Sequence, residues 1–104
     1  MTRQAFTMKL KPGAADEYVR RHREVWPELL RLHSRVGIRN YSIHLDRGSL
    51  TLFAYRELAP GHRAEAFADD PLARDWWAWN ADLMECHPSN APVCGPLEEV
   101  FHME

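Results

Sequence analysis

The chain has 104 residues, of which 45% are hydrophobic and 27% charged, and its formal net charge at pH 7 is −2. Its length and its four Trp, four Phe and three Tyr predict one globular domain over residues 1–104 with a single core. A net negative charge argues against a nucleic-acid partner, because binding to phosphates requires an excess of basic residues. No stretch approaches the roughly 20 apolar residues that cross a membrane, so we expect a cytoplasmic protein without a membrane partner.

The histidines and cysteines do not form a recognisable metal-binding pattern. The six histidines are scattered, and Cys86 and Cys94 share one proline-rich stretch without the ligand spacing of a structural zinc site. In a reducing compartment we expect both cysteines to be free thiols. The chain also lacks a glycine-rich phosphate loop and a Gly-x-Ser-x-Gly elbow. We therefore expect neither a metal nor a cofactor.

Alternation of apolar and polar residues indicates strands in four parts of the chain. The predicted strands cover residues 4–11, 38–46, 49–58 and 97–103. The residues 87–96, which contain three prolines, are expected to form a loop before the last strand.

Helical spacing of apolar residues indicates helices between these strands. The predictions are a first helix over residues 14–35, a short helical piece over 62–68, and a second long helix from 71 to about 84. Gly37 is expected to close the first helix, while Asp70 caps the second and Pro71 occupies its first turn. Pro27 should kink the first helix, unless Trp26-Pro27 starts a new helical segment.

The order strand, helix, strand, strand, helix, strand predicts an α+β, ferredoxin-like (βαββαβ) fold. In this fold a four-stranded antiparallel sheet carries two helices on one face. The strand at 49–58 is partly apolar on both faces, with Leu52 and Ala54 on one and Phe53 and Tyr55 on the other. Because the helices can cover only one face, we expect a second copy on the other, giving a homodimer of the dimeric α/β barrel type.

An ionisable ring interrupts the apolar stripe of the first helix. At about 100° per residue the stripe contains Ala15, Val19, His22, Trp26 and Leu29. Tyr18 lies one turn before His22 on the same side, so their polar groups point towards a common space. Tyr41 lies on the second strand, on the face that would meet this helix. The three residues suggest a pocket, and the alternative is a core in which backbone groups satisfy them.

Two adjacent tryptophans mark the second long helix. Packing alone explains the stripe of Leu72, Trp76, Trp79 and Leu83. Trp77 lies about 100° around from Trp76, beyond this stripe, where a large aromatic often lines a cleft or an interface. Flat aromatic walls suit sugars, whose apolar C–H faces are ringed by hydroxyls. Core or interface packing is the alternative interpretation of the pair.

Several segments of the chain resemble the L-rhamnose mutarotase family. They are Tyr18-Val-Arg-Arg-His22 with Val25-Trp-Pro-Glu-Leu29, Asn40-Tyr-Ser-Ile-His-Leu-Asp46, Trp76-Trp77 and Leu97-Glu-Glu-Val-Phe101. The resemblance spans nearly the whole chain and implies a ferredoxin-like dimer. It also implies that His22 is the proton donor and that Tyr18, Tyr41, Trp76 and Trp77 contact the sugar.

One segment departs from the family pattern. The run His87-Pro-Ser-Asn-Ala-Pro92 stands where the family typically shows Asn-Pro-x-Asn-Ser-Pro. If this loop covers the pocket, the departure would change the preferred sugar.

The resemblance implies an isomerase that interconverts the α and β anomers of L-rhamnose, or of a related deoxyhexose, without a cofactor. Opening the cyclic hemiacetal requires a proton at the ring oxygen and removal of one from the anomeric hydroxyl. A histidine, with an ordinary pKa of about 6.5, can both give and take a proton near neutrality. Tyr18 and Tyr41 are expected to orient hydroxyls or relay the second proton, and Trp76 and Trp77 to hold the apolar face of the sugar.

Two other classes of function stay open on the sequence. One is a cofactor-free monooxygenase or isomerase that shares the dimeric ferredoxin-like fold, because fold alone does not decide the chemistry. The other is a non-enzymatic ligand-binding module in which His22 is inert. Neither accounts for the combined placing of Tyr18, His22, Tyr41 and the tryptophan pair.

Overall fold

The computed structural model describes residues 1–104, which form one antiparallel sheet and three α-helices. The elements are β1 (Thr2–Lys9), α1 (Ala15–Arg23), α2 (Pro27–Arg35), β2 (Ile38–Asp46), β3 (Thr51–Leu58), α3 (Pro71–Asn80) and β4 (Gly95–Leu97). Short 3-10 helices cover Ala64–Asp69 and Ala81–Leu83. The strand order β2-β3-β1-β4, with every pairing antiparallel, confirms the predicted α+β ferredoxin-like sheet. None of the helices has the length and apolar character of a membrane span.

The single helix predicted over residues 14–35 is wrong, since two separate helices occupy this range. α1 ends at Arg23, and Trp26 is an extended N-cap from which α2 starts with Pro27 in its first position. Proline lacks the N–H that continues a helix, and its ring crowds the preceding turn, but both features are harmless at a helix start. The sheet therefore carries three α-helices on one face rather than two, and the alternative reading of Trp26-Pro27 is confirmed.

The predicted ends of α2 and α3 are partly confirmed. Gly37 has φ of +90° directly after α2, and a Cβ there would lie 2.7 Å from the Cβ of His62, so both conformation and space require glycine. Asp70 caps α3 by accepting a hydrogen bond from the Leu72 amide at 2.9 Å. α3 ends at Asn80 rather than near residue 84, because Met84 is extended and forms a β-bridge with Leu10.

The last strand is shorter than the one predicted over residues 97–103. β4 covers only Gly95–Leu97, pairing with residues 5–7 of β1, and residues 98–104 have no regular structure. The remaining residues of β1 towards its start, Thr2 to Gln4, are polar and exposed. They offer no apolar surface on which Val100 or Phe101 could be buried, and both side chains are largely exposed.

All helices pack on one face of the sheet, here called the inner face. Two buried clusters hold them there, one around Leu52 of β3 and Met8 of β1, the other around Leu58 of β3 and Leu29 of α2. The opposite, outer face is partly exposed, and Phe53 there is 43% exposed. The inner face and the helices above it frame the site described next.

Candidate active site

A cavity of about 950 Å³ lies between the inner face of the sheet and the helices. All five residues singled out from the sequence line it: Tyr18, His22, Tyr41, Trp76 and Trp77. The volume is at the upper end of the roughly 300–1,000 Å³ that is common for small-molecule sites. The fold thus brings together side chains from α1, β2 and α3 around one space.

His22 is held in one tautomer by its own helix. Its Nδ1 donates a hydrogen bond to the backbone carbonyl of Tyr18 at 2.9 Å, and this leaves Nε2 with a free lone pair. Burial lowers the pKa of His22 below its ordinary value, and the hydrogen bond to Tyr18 acts in the opposite direction. The lowered pKa favours the neutral form of the His22 imidazole at pH 7.

Tyr18 and Tyr41 supply phenol groups to the same cavity. Burial raises the pKa of Tyr18 well above its ordinary value, and it raises the pKa of Tyr41 to about 12. Both phenols therefore keep their protons at neutral pH. This favours a role in orienting hydroxyls over one that requires a phenolate.

Tyr41 faces the cavity because of an irregularity in β2. The pairing between β2 and β3 shifts between Arg39 and Ser42, and Asn40 takes a left-handed backbone conformation with φ of +47°. Beyond this bulge, Tyr41 and Ile43 share the inner face. Tyr41 meets the ring of Phe6 on β1 edge to face, with centroids 6.4 Å apart.

The two adjacent tryptophans of α3 take different positions. Trp76 is 8% exposed and packs edge to face against His22, with ring centroids 5.1 Å apart. Trp77 is half-buried and meets Phe67 at 5.9 Å. Trp79, which stacks on Trp26 at 5.6 Å, does not line the cavity. Trp76 thus fixes the imidazole, and Trp77 forms a wall.

Sequence reasoning missed a second cavity histidine, His33 of α2. Its Nδ1 donates to the Leu29 carbonyl at 2.8 Å, as His22 does to Tyr18, and burial lowers its pKa. Its ring lies 5.5 Å from that of Tyr41 and 4.5 Å from that of Phe67. Its position four residues after Leu29, on the same face of α2, is a signal that could have found it.

Asn80 of α3 was also missed. It is 2% exposed, its Nδ2 donates to the Trp76 carbonyl at 3.0 Å, and its Oδ1 has no hydrogen-bond partner in the chain. An unpaired buried acceptor costs about 1–3 kcal/mol, so a donor entering the cavity would be bound there. Asn80 lies four residues after Trp76 on the same face of α3, and this spacing could have indicated that it lines the same cavity.

A third missed residue is Arg56 of β3, which lines the cavity from the sheet. Its neighbours in the inner-face alternation, Leu52, Ala54 and Leu58, are all buried apolar residues. A charged residue among the inward-facing apolar residues of β3 could have marked Arg56 as a candidate site residue.

The loop over residues 87–96 reaches the cavity only in part. Pro92, Cys94 and Pro96 line it, whereas residues 87–91 do not. The two residues that differ from the family run, His87 and Ala91, are therefore outside the cavity lining, and Pro92, which matches the run, borders it. Cys86 and Cys94 are both free thiols, and no group of three or more His, Cys, Asp or Glu is placed to hold a metal ion.

Comparison of the sequence with known proteins points to one family. The sequence model of the family described as L-rhamnose mutarotase matches residues 3–103. The L-rhamnose mutarotase of Jannaschia sp. (strain CCS1) is 46% identical over 103 residues, covering 99% of each chain, and that of Phocaeicola vulgatus is 42% identical over the full length of both.

Solved structures give the same result for the fold. The crystal structure of L-rhamnose mutarotase FA22100 from Formosa agariphila matches the whole chain with a TM-score of 0.93 at 40% identity. PA3566 from Pseudomonas aeruginosa matches with a TM-score of 0.60 at 16% identity, which concerns the fold alone. The family match over nearly the whole length, together with these relatives, shows that the chain belongs to the L-rhamnose mutarotase family.

Proposed function

We propose that this protein is an L-rhamnose mutarotase, an isomerase that interconverts the α and β anomers of L-rhamnose by proton transfer at His22. The observation that carries the proposal is the neutral imidazole of His22, whose Nδ1 is engaged by the Tyr18 carbonyl and whose ring lines the cavity. The relatives of the same name, at 42–46% identity, support the choice of sugar.

The reaction needs one base that can return its proton. Nε2 of His22 removes the proton from the anomeric hydroxyl, and the C1–O5 bond breaks as the C1=O1 double bond forms. The imidazolium then gives the same proton to O5, which was bonded to C1 until the ring opened and therefore still lies close to O1, and the product is the open-chain aldehyde with a hydroxyl at C5. Rotation about the C1–C2 bond and the reverse steps give the other anomer, and His22 ends unchanged. General acid–base catalysis of this kind contributes about 10²–10⁴-fold.

The other cavity residues position the sugar. The phenols of Tyr18 and Tyr41, which remain protonated, donate hydrogen bonds to sugar oxygens. His33, with its Nδ1 engaged, accepts a hydrogen bond from a sugar hydroxyl at Nε2. Trp76 and Trp77 hold the apolar face of the ring and exclude water.

The proposal includes a homodimer in the cytoplasm that acts on a free monosaccharide. Phe53 on the outer face and Leu97 at the edge strand are 43% and 45% exposed, and Val100 and Phe101 in the C-terminal segment are largely exposed. A second copy packed against the outer face would bury these side chains.

Magnetisation exchange between the two anomeric protons of L-rhamnose, measured by NMR with and without the protein, tests the function. We expect exchange in proportion to protein concentration, with no change in the composition of the sugar. An exchange rate equal to that in buffer would overturn the proposal. Net consumption of a substrate together with oxygen would instead favour a cofactor-free monooxygenase of the same fold.

A further inference from the structure

Arg56 is fixed on the wall of the cavity by two contacts. Its Nε donates to Oε1 of Gln4 on β1 at 2.6 Å, and its guanidinium carbon lies 5.5 Å from the centroid of the Phe6 ring. Both partners lie on the neighbouring strand and also line the cavity. The guanidinium is therefore held in place, and its terminal nitrogens are left for another partner.

The charge of Arg56 has no carboxylate to balance it. None of the ion pairs in the chain involves Arg56. Glu65 is the one carboxylate among the residues lining the cavity, but its side chain is 78% exposed and lies 3.9 Å from His62. An anion that enters the cavity would therefore meet the guanidinium of Arg56 without a competing carboxylate.

The second cation on the cavity wall is already engaged. Nη1 of Arg39 donates to the backbone carbonyls of Ser34 at 2.7 Å and of Ile38 at 3.2 Å. One terminal nitrogen of the exposed Arg39 is thus occupied, whereas neither terminal nitrogen of the half-buried Arg56 has a hydrogen-bond partner in the chain. The single positive charge of this guanidinium is balanced by one carboxylate.

Arg56 lies among the residues proposed to bind the sugar. Phe6, over which it is placed, contacts Tyr41, and Tyr41 contacts His33. The positive charge of Arg56 also adds to the lowering of the pKa of His33, which is due first to burial. The cationic part of the cavity therefore adjoins Tyr41 and His33, whereas Tyr18 and Trp76 surround His22.

We propose that Arg56 binds a carboxylate at C6 of the sugar, so that the chain interconverts the anomers of a hexuronate as well as those of L-rhamnose. The proposal rests on the mutarotase function proposed above. C6 is attached to C5, the ring carbon next to O5, so a sugar with O1 and O5 at His22 can extend its C6 group towards another wall. The terminal nitrogens of a guanidinium donate two parallel hydrogen bonds to a carboxylate.

The test uses three sugars that share one ring configuration and differ at C6. L-Rhamnose carries a methyl group there, L-mannose a hydroxymethyl group and L-mannuronate a carboxylate. Anomeric exchange of each is measured by NMR, and the rate in buffer is subtracted. L-Mannose separates the effect of a larger C6 group from the effect of charge. Arg56→Met removes the charge but keeps an apolar chain over Phe6, and the exposed Arg47→Met serves as the matched control.

We expect catalysed exchange of L-mannuronate by the unaltered protein. Arg56→Met should lower the ratio of the L-mannuronate rate to the L-rhamnose rate by at least about tenfold, the lower end for a hydrogen bond to a charged group. Arg47→Met should leave this ratio unchanged. An unchanged ratio in Arg56→Met, or exchange of L-rhamnose without exchange of L-mannuronate, overturns the inference and leaves the proposed function intact. Failure with all three sugars overturns the function itself.

A second measurement covers the case in which Arg56→Met does not fold. Raising the salt concentration from about 0.01 M to 1 M shortens the screening length from about 30 Å to about 3 Å. Exchange of L-mannuronate by the unaltered protein should then fall relative to exchange of L-rhamnose. Equal salt dependence of the two sugars overturns the inference.

Discussion

The imidazole of His22 stacks on the ring of Tyr18 with centroids 3.9 Å apart and an interplanar angle of 23°, while its Nδ1 donates to the carbonyl of the same residue. One residue therefore fixes both the plane and the tautomer of the imidazole. The ring of Trp76 packs edge to face against the same imidazole. The Nε2 lone pair is the part of His22 that remains for chemistry.

Replacing His22 by Gln should abolish most of the proton transfer. Gln keeps an approximate size and some hydrogen-bonding capacity but cannot shuttle a proton near neutrality, so anomeric exchange of L-rhamnose should fall by at least about 10²-fold. His44→Gln, on an exposed position of β2, is the matched control. Near-normal exchange in a folded His22→Gln protein would remove His22 from the mechanism. A large loss of thermal stability with activity retained would return it to the core.

Catalysed exchange should depend on pH through His22. Only the neutral imidazole can take the anomeric proton, and burial lowers its pKa below the ordinary 6.5. The catalysed rate should therefore be level at pH 7 and fall only as the pH drops below 6.5, through the lowered pKa. The measurement is the exchange rate with the buffer rate subtracted at each pH. A rate that increases as the pH falls would contradict a neutral base.

The stability of the fold should depend on pH through His22 and His33. The pKa values of His22 and His33 are lowered by burial in the folded chain, whereas the unfolded chain keeps the ordinary value of 6.5. As the pH falls below 6.5 the unfolded state binds more protons, so the free energy of unfolding decreases. Urea unfolding at a series of pH values should show this decrease, and His33→Gln should reduce its slope. Identical slopes for the two proteins would show that His33 does not titrate differently on folding.

Trp77→Leu should weaken sugar binding while the fold is kept. Trp77 is half-buried on the cavity wall, and Leu retains apolar surface but not the flat ring. Trp79→Leu is the matched control, because Trp79 lies two residues away and outside the cavity lining. Binding is followed by tryptophan fluorescence during titration with L-rhamnose. Equal affinities in the two variants would leave Trp77 with a packing role only.

Light scattering over a concentration series tests the homodimer. We expect a mass of two chains at micromolar concentration, because the outer face exposes Phe53 and the tail exposes Val100 and Phe101. Phe53→Lys should shift the equilibrium towards the monomer. A monomer for the unaltered protein at these concentrations would contradict the expected packing of the outer face.

The sequence predicts the sheet well because apolar inner-face residues, among them Met8 of β1 and Leu52, Ala54 and Leu58 of β3, alternate with outer-face residues. It predicts the helices less well, since periodicity at 100° per residue continues across Trp26-Pro27 although the backbone breaks there. The predicted length of the last strand is wrong for a different reason. Alternating residues after Leu97 satisfy the strand pattern, but the part of β1 beside them has no apolar surface to cover.

The sequence predicts those parts of the site in which the geometry of one helix determines where the side chains lie. Tyr18 and His22 lie one turn apart, so their common direction follows from the sequence. His33, Arg56 and Asn80 were missed because their approach to the same space depends on how α2, β3 and α3 pack together. Local spacing gives the face of the helix or strand on which each residue lies, but the packing of these elements is long-range information.

The break between α1 and α2 has a consequence for how the protein can diversify. The two helices do not share a continuous backbone ladder across residues 24–26, so each is anchored to the sheet by its own contacts. α1 carries His22, the residue proposed to transfer the proton, whereas α2 carries His33, which adjoins the part of the cavity where Arg56 lies. Under the proposed function, we expect substitutions on α2 to change which sugar is accepted without moving the imidazole on α1. Proton transfer and sugar selectivity would then evolve on separate helices.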